Sequence, residues 1–361
     1  MKQTLIVKLA PTDEQHTSLL RTMERFNAAC DWLAGVAFAN QCANKFALQK
    51  LAYRECRERF GLSAQMAIRA ISKVVEAYKR DKRIHVSFRP HGAMTYDERI
   101  YSFKGPDLVS LLTLDGRIVC PYRYGAYQAA MLDRKRGQAD LLYRDGTFYL
   151  SISVDSPEPA PNDPIGFIGV DLGIVRIATA SDGTTFQGSH LQSIRARFAR
   201  MRAKLQRKGT RSAKRKLKRR SGREHRFQAH INHVISKTLV ARAKDTANGI
   251  ALEDLKGIRM RVTVGKGQRR VVHSWAFGQL RAFVSYKAAL AGVRVVFVNP
   301  RNTSRTCPVG GKRSRQCGCI DKKNRKNQAT FSCISCGYTA NADENAARII
   351  SVRAGLPCHA A

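Results

Sequence analysis

FIGVDLGIVRIATASDG, residues 167–183, joins an apolar run (Ile165–Val170) to an acid, Asp171, and then turns back through Asp182-Gly183. A run of that length bounded by turn residues is a strand, and Asp-Gly is a hairpin signal. Downstream the spacing predicts a short strand at GIALEDL (249–255), a helix from about Trp275, a strand at VRVVFV (293–298) and a final helix from about Asn341. Strands alternating with helices indicate an α/β domain. No internal repeat is present.

Upstream, Pro157, Pro159, Pro161 and Pro164 mark a linker. Before it, QTLIVKL (3–9) predicts a strand, and Thr12 and Gln15 are spaced as a capping box. A helix follows with Leu19, Met23, Phe26, Cys30 and Leu33 on one face, and a second helical pattern runs through Ile68, Ile71, Val75 and Tyr78. From residue 83 the period becomes two, with Ile84, Val86 and Phe88 alternating. Asp115-Gly116 and Asp145-Gly146 are further hairpin signals. The first 160 residues therefore read as a β-rich domain whose first strand is split from the rest by a helical insertion.

The charge limits the partners. Lys and Arg total 64 against 27 Asp and Glu, and 64 − 27 = +37. Such self-repulsion is relieved by a polyanion, with nucleic acid the first candidate and an anionic membrane surface the second. No apolar stretch approaches the ~18 residues of a spanning helix, and the N-terminus lacks a signal-peptide pattern. No membrane partner is expected.

Three acids share a local logic. Asp171 ends a strand, Glu253 lies in or at the end of another, and Asp343 sits in the first turn of a helix, with Asn341 and Glu344 spaced as N-cap partners. Carboxylates gathered in a cleft repel unless a cation joins them. Hard oxygen ligands suit Mg²⁺ or Mn²⁺, and a pair of such ions supports phosphodiester hydrolysis. Taken singly, the three also fit a turn-capping Asp, a solvated strand-end acid and a helix-dipole residue.

Cys30, Cys42, Cys56, Cys120 and Cys358 are scattered and read as buried or incidental thiols. Cys307, Cys317, Cys319, Cys333 and Cys336 crowd into one segment, which suits a metal site better than disulfides. The CxxC at Cys333–Cys336 is the stronger half.

In sequence order, the segment 167–183, IALEDLKGI (250–258), SWAFGQLRAFVSYKAALAGVRVVFVNPRNTSRTC (274–307) and FSCISCGYTANADENAARI (331–349) resemble the RuvC region of the TnpB family, which is related to the type V CRISPR effectors. The similarity covers 165 to 352 well, and the N-terminal half in layout only. The resemblance implies an α+β multidomain chain. A β-rich, barrel-like wedge domain (1–10 and 83–160) would carry a helical recognition insert (11–82). An RNase H-like (RuvC) α/β nuclease domain (161–306 and 341–361) would carry a zinc-finger insert (307–340). It places Asp171, Glu253 and Asp343 at the three catalytic, Mg²⁺-binding acids. It further implies a guide RNA from the transposon end, double-stranded target DNA, and a prokaryotic, cytoplasmic, nucleoid-associated location. Guide pairing would read most of the target.

For zinc, that family pattern expects CxxC beginning at Cys307, but this chain has Cys307-Pro308-Val309-Gly310. An insertion of Gly310–Gln316 would leave Cys307, Cys317, Cys333 and Cys336 as the four Zn²⁺ ligands, because Gly318 after Cys317 matches Gly337 after Cys336. Cys319 is the alternative to Cys317, and loss of zinc is the other possibility.

Residues 195–226 hold sixteen Lys/Arg and one acid, Glu224. Phe198, Met201, Leu205, Leu217 and Phe227 give a sparse apolar seam, so a helical hairpin is expected. Arg200, Lys204, Arg207, Lys208, Arg211, Lys214, Arg215, Lys218 and Arg219 would contact phosphates of a guide–target duplex. Trp275 and Phe277 are expected in the core, and His225, His230 and His233 on polar faces. Three competing functions remain at this level: a nuclease-inactive guide-dependent repressor, a guide-independent basic zinc-finger protein, and a transposase.

Overall fold

The computed structural model describes residues 1–81, 83–134, 136–255, 276–309, 317–327 and 329–355. Trp275, Cys358 and part of the 250–258 motif lie outside them. The chain divides into two compact units, Met1–Pro157 and Glu158–Ala361.

In the first unit, β1 (Lys2–Leu9) is followed by helices α1 (Asp13–Ala39), α2 (Lys45–Phe60) and α3 (Ala64–Arg80). Then come β2 (Met94–Tyr96), β3 (Tyr101–Phe103), β4 (Leu108–Thr113), β5 (Gly116–Arg123), α4 (Ala126–Leu132), β6 (Arg136–Arg144) and β7 (Thr147–Asp155). The seven strands form a nearly closed, barrel-like antiparallel sheet in the order β2-β6-β7-β1-β5-β4-β3. The first strand thus lies fourth, between β7 and β5, with Leu5, Val7 and Leu9 buried on one face and Lys2, Thr4 and Lys8 exposed on the other. Burying each such aliphatic chain contributes about 1.5–3 kcal/mol.

Thr12 and Gln15 form the reciprocal capping box that starts α1. Its apolar stripe, Leu19, Met23, Phe26, Cys30 and Leu33, is fully buried. Asp145 and Gly146, both at positive φ, make the tight β6–β7 turn. One expectation fails. The alternating Ile84–Phe88 stretch joins no sheet: Phe88 N–H donates to Asp31 Oδ1 of α1 at 2.8 Å, while Ile84 is exposed. A helix side chain has taken the hydrogen bond that a neighbouring strand would have accepted. The separate helix α2 was not marked out by the sequence pattern.

The second unit is built on β8 (Phe167–Asp171), β9 (Arg176–Ala180), β10 (Thr185–Gln187), β11 (Gly249–Glu253) and β12 (Val295–Val298). Their order is β10-β9-β8-β11-β12. Strands β8, β9 and β10 pair antiparallel, whereas β8–β11 and β11–β12 are parallel, the RNase H-like arrangement. Between β10 and β11 run α5 (Ser189–Lys208) and the long α6 (Arg211–Asp245); α7 (Phe277–Ala291) precedes β12. A small ladder, β13 (Thr330–Ser332) and β14 (Thr339–Asn341), leads into α8 (Ala342–Ala354).

The period-two alternation of β11 sorts the two faces. Ile250 and Leu252 pack with Leu239 of α6 and Val284 of α7, while Ala251 between them meets Ile350 of α8. Helix α8 crosses β8 at Gly169, where a Cβ would fall on Ala347 O and Ser351 N. Only a glycine admits that approach. Ser351 Oγ donates to Phe167 O at 2.5 Å and fixes the crossing.

Candidate metal centres

Asp171 and Glu253 end adjacent parallel strands, one step beyond the Val170–Leu252 register pair. Asp343 arrives from α8, whose N-terminus is capped by Asn341 Oδ1 accepting from Asp343 N at 3.0 Å and Glu344 N at 3.4 Å. Because α8 lies against β8, its first turn opens beside the Asp171 end of the strand.

Electrostatics registers the convergence. Burial first, then the charges of Glu253 and Asp343, push the Asp171 carboxyl from its ordinary 3.8 up to about 7, against the opposing Arg325 charge and the Leu172 N–H. Burial also raises Glu253, opposed by its hydrogen bond with Thr303 and the charge of Arg353. Asp343 is raised by burial, opposed by Arg176 and Arg325. Burial is the first cause at each of the three carboxyls, and at Asp171 the charges of the other two add to it; a divalent cation bound there would supply further counter-charge.

Several supporting residues gave no separable sequence signal. Thr303 Oγ1 lies 2.5 Å from Glu253 Oε1. Arg353 Nη1 donates to Asn299 O and Arg301 O, each at 2.8 Å, holding the turn that carries Thr303. Arg325 pairs with Asp343 at 3.9 Å, and Arg176 donates to Asn341 Oδ1 at 3.0 Å while meeting Glu344 at 3.6 Å. In a chain with 64 basic residues, nothing local sets these apart.

The cysteines gather separately. The thiols of Cys307, Cys317, Cys333 and Cys336 all lie within 4.8 Å of one another, with Cys307–Cys336 at 3.6 Å and Cys317–Cys333 at 3.5 Å. Four sulfurs bound tetrahedrally to zinc at about 2.3 Å would stand about 3.8 Å apart. The set therefore fits zinc. Cys319 is not in it; its carbonyl accepts from Cys307 N–H at 3.0 Å, drawing the two ends of the altered knuckle together. Gly318 and Gly337 both take positive φ after their cysteines. The Cys319 backbone N–H and the Cys336 thiol hold Cys317 down to about 6, whereas burial drives Cys307 up. Buried Asn324, unmarked by any motif, ties the segment together: Nδ2 donates to Arg305 O at 2.9 Å and Cys319 O at 3.1 Å, and Oδ1 accepts from Ile334 N at 3.0 Å.

The basic run is a hairpin of α5 and α6, turned at Gly209 in the left-handed region and recapped by Thr210. Arg200, Lys204, Arg207, Lys208, Arg211, Lys214, Arg215, Lys218 and Arg219 are all exposed, while Phe198, Met201, Leu205, Leu217 and Phe227 are half-buried. Phe277 packs against the core of the second unit. His225, His230 and His233 are exposed, and His233 also stacks on Phe283 at 3.9 Å. Cys30, Cys56 and Cys120 are buried and Cys42 half-buried. Among the described residues no helix is long and apolar enough to cross a membrane.

Comparison with known proteins agrees with this architecture. Residues 150–260 match the family model OrfB_IS605, a probable transposase, and residues 277–350 match the Cas12f1-like TNB domain. The CRISPR-associated endodeoxyribonuclease Cas12f1 of Sulfoacidibacillus thermotolerans is 32% identical over 229 residues, 58% of this chain and 51% of that protein. The putative RNA-guided DNA endonuclease InsQ of Escherichia coli K12 is 33% identical over 222 residues, 57% of this chain and 53% of that one. A TnpB-like protein of Methanocaldococcus jannaschii is 34% identical over 157 residues, 42% and 53% of the two chains. The chain thus spans about half the length of the curated relatives it matches. In fold, it superposes on Cas12f1 from a complex with single-guide RNA and target DNA with a TM-score of 0.69 at 12% identity, covering 97% of this chain and 98% of that one. Over residues 150–260 and 277–350 the chain is similar in sequence to the TnpB-like and Cas12f proteins, and its fold is similar to that of Cas12f1.

Proposed function

We propose that the chain is an RNA-guided DNA endonuclease of transposon origin, cutting phosphodiesters at one acidic site. The observation that carries this reading is that Asp171 and Glu253 end adjacent parallel strands in register, with the charges of Glu253 and Asp343 both acting on the buried Asp171 carboxyl. Asp171, Glu253 and Asp343 would hold Mg²⁺ or Mn²⁺, and Cys307, Cys317, Cys333 and Cys336 would hold structural Zn²⁺. Bound divalent ions supply a more acidic water and charge stabilisation at the leaving oxygen.

The protein's own groups orient that site. Thr303 fixes the Glu253 carboxylate, Asn341 fixes the start of α8, and Arg325 brings a positive charge from the cysteine-bearing segment to Asp343. The exposed Lys/Arg face of the α5–α6 hairpin would neutralise phosphates of a guide–target duplex, with guide pairing providing sequence selection. The partners are a guide RNA from the transposon end and double-stranded target DNA, in a prokaryotic cytoplasm.

The test is cleavage of a target plasmid by protein purified with RNA co-expressed from its own transposon end, with Mg²⁺ present, against Asp171→Ala. Cutting by the wild type alone is expected. Intact plasmid with RNA bound would replace the nuclease with a repressor. Guide-independent binding without cutting would indicate a zinc-finger regulator, and strand joining a transposase.

A further inference from the structure

Glu224, the one acid among sixteen cations in residues 195–226, sits where the basic hairpin fails to close. Along Phe198 and Leu217 a cavity of about 300 Å³ opens between α5 and α6, lined also by Arg202, Gln206, Ser221 and Glu224. That volume is at the lower end for small-ligand pockets. Arg202 Nη2 donates to Glu224 Oε2, and Glu224 Oε1 accepts nothing from the described residues. The Glu224 side chain keeps 29% of its surface exposed.

On a surface that binds phosphates, a carboxylate opposes the binding. The exposed pair with Arg202 and the charge Glu224 offers to half-buried Arg195 are partial reasons for its presence, because ion pairs near the surface contribute little. A base edge is a better one. A guanidinium donates to ring nitrogen or carbonyl acceptors, and a carboxylate accepts from amino or imino N–H groups, so the two side by side match the alternating edge of a nucleobase. The faces of a base are apolar and suit Phe198 and Leu217, while its phosphates suit the cations around the rim.

We propose that this cavity is a nucleobase site, taking one unstacked base from a strand whose phosphates lie on the surrounding Lys/Arg residues. The proposal rests on reading the hairpin as a nucleic-acid surface. It adds a base-reading point to a surface otherwise limited to phosphate contacts.

The experiment uses the full chain with its cysteine cluster intact and follows fluorescence anisotropy at one fixed salt. The probes are single strands of about twelve nucleotides: RNA of mixed sequence, DNA of the same sequence, and an abasic strand of equal length and charge. Wild type is expected to bind a base-bearing strand roughly tenfold tighter than the abasic one. Glu224→Gln removes one negative charge, so charge alone predicts tighter binding to every strand. The base site predicts the opposite sign for base-bearing strands, a loss of about threefold or more, with no weakening toward the abasic strand.

Ser221→Phe fills the cavity at constant charge and should bring base-bearing strands to the abasic level. It also serves as the independent variant if circular dichroism shows Glu224→Gln to have lost helix. Tighter RNA binding would assign the site to the guide, and tighter DNA binding to the opened target; either supports it. The site is overturned if Glu224→Gln binds all strands more tightly, or if Ser221→Phe leaves the preference for bases intact. Equal binding of all strands by the wild type would remove the site and leave the hairpin's role standing, whereas binding of none would remove both.

Discussion

Asp171 and Glu253 stand side by side at the carboxyl ends of β8 and β11, one residue past the Val170–Leu252 pair. Parallel strands in this register must deliver two negative groups to the same edge, and α8 adds Asp343 to them. Burial at that edge, with the charges of Glu253 and Asp343 added and Arg325 only partly opposing them, raises the Asp171 carboxyl.

That imbalance sets a pH dependence. Between the ordinary value of 3.8 and about 7 the native state holds a proton on Asp171 that the unfolded chain releases. The Asp171 contribution to native stability is therefore greatest below that window and falls as pH rises through it. Glu253 and Asp343 shift in the same direction. In buffer with zinc retained but no added Mg²⁺ or Mn²⁺, unfolding free energy should drop by on the order of 2–4 kcal/mol from pH 5 to pH 8. Asp171→Asn should remove most of that drop while abolishing cleavage. Urea unfolding across the pH series checks it; a flat or rising wild-type profile would contradict it.

Zinc content separates Cys317 from Cys319. Wild type should carry one zinc per chain by metal analysis, Cys319→Ser should keep it, and Cys317→Ser should lose it, because only Cys317 joins the other three thiols. Retained zinc in Cys317→Ser, with loss in Cys319→Ser, would reverse the assignment.

Gly169→Ala tests how α8 is seated. The added methyl meets backbone atoms of Ala347 and Ser351, which cannot rotate away as a side chain could. A loss of about 3 kcal/mol in stability is expected, with cleavage falling further than stability because Asp343 moves with the helix. Unchanged thermal unfolding would show that α8 shifts freely.

Thr303 should act through Glu253. Thr303→Val removes the hydroxyl at similar size, leaving Glu253 without the partner seen at 2.5 Å, and apparent Mg²⁺ affinity in cleavage should weaken by about ten- to hundredfold. Thr303→Ser should restore it. Equal loss in both variants would point to packing instead.

The hairpin's exposed cations should appear in the salt dependence. Neutralising Lys204, Lys208, Arg215 and Arg219 to Ala should flatten the log–log salt slope of nucleic-acid binding by roughly 0.7–0.9 for each residue that contacts phosphate. An unaltered slope in the fourfold variant would remove this face from the interface.

Much of the second unit was legible because its signals are local. The Ile165–Val170 run, the Asp182-Gly183 turn and the capped helix after Asn341 each declare themselves within a few residues. The alternation at Ile84–Phe88 was equally clear and misled, since alternation cannot say whether a partner strand is free to pair. Asp31 of α1 had taken the Phe88 N–H.

By itself the sequence determined the excess of positive charge, the alternating elements of the second unit and the acids and cysteines available for chemistry, because each follows from residue type and short-range spacing. Tertiary structure alone decided that Asp171 and Glu253 share a sheet edge, that Cys317 rather than Cys319 completes the thiol cluster, and that Thr303 and Arg325 serve the acids. These pairings join residues far apart in the chain. Strand register and the close crossing of α8 over Gly169 bring them together, and neither is encoded in any one stretch.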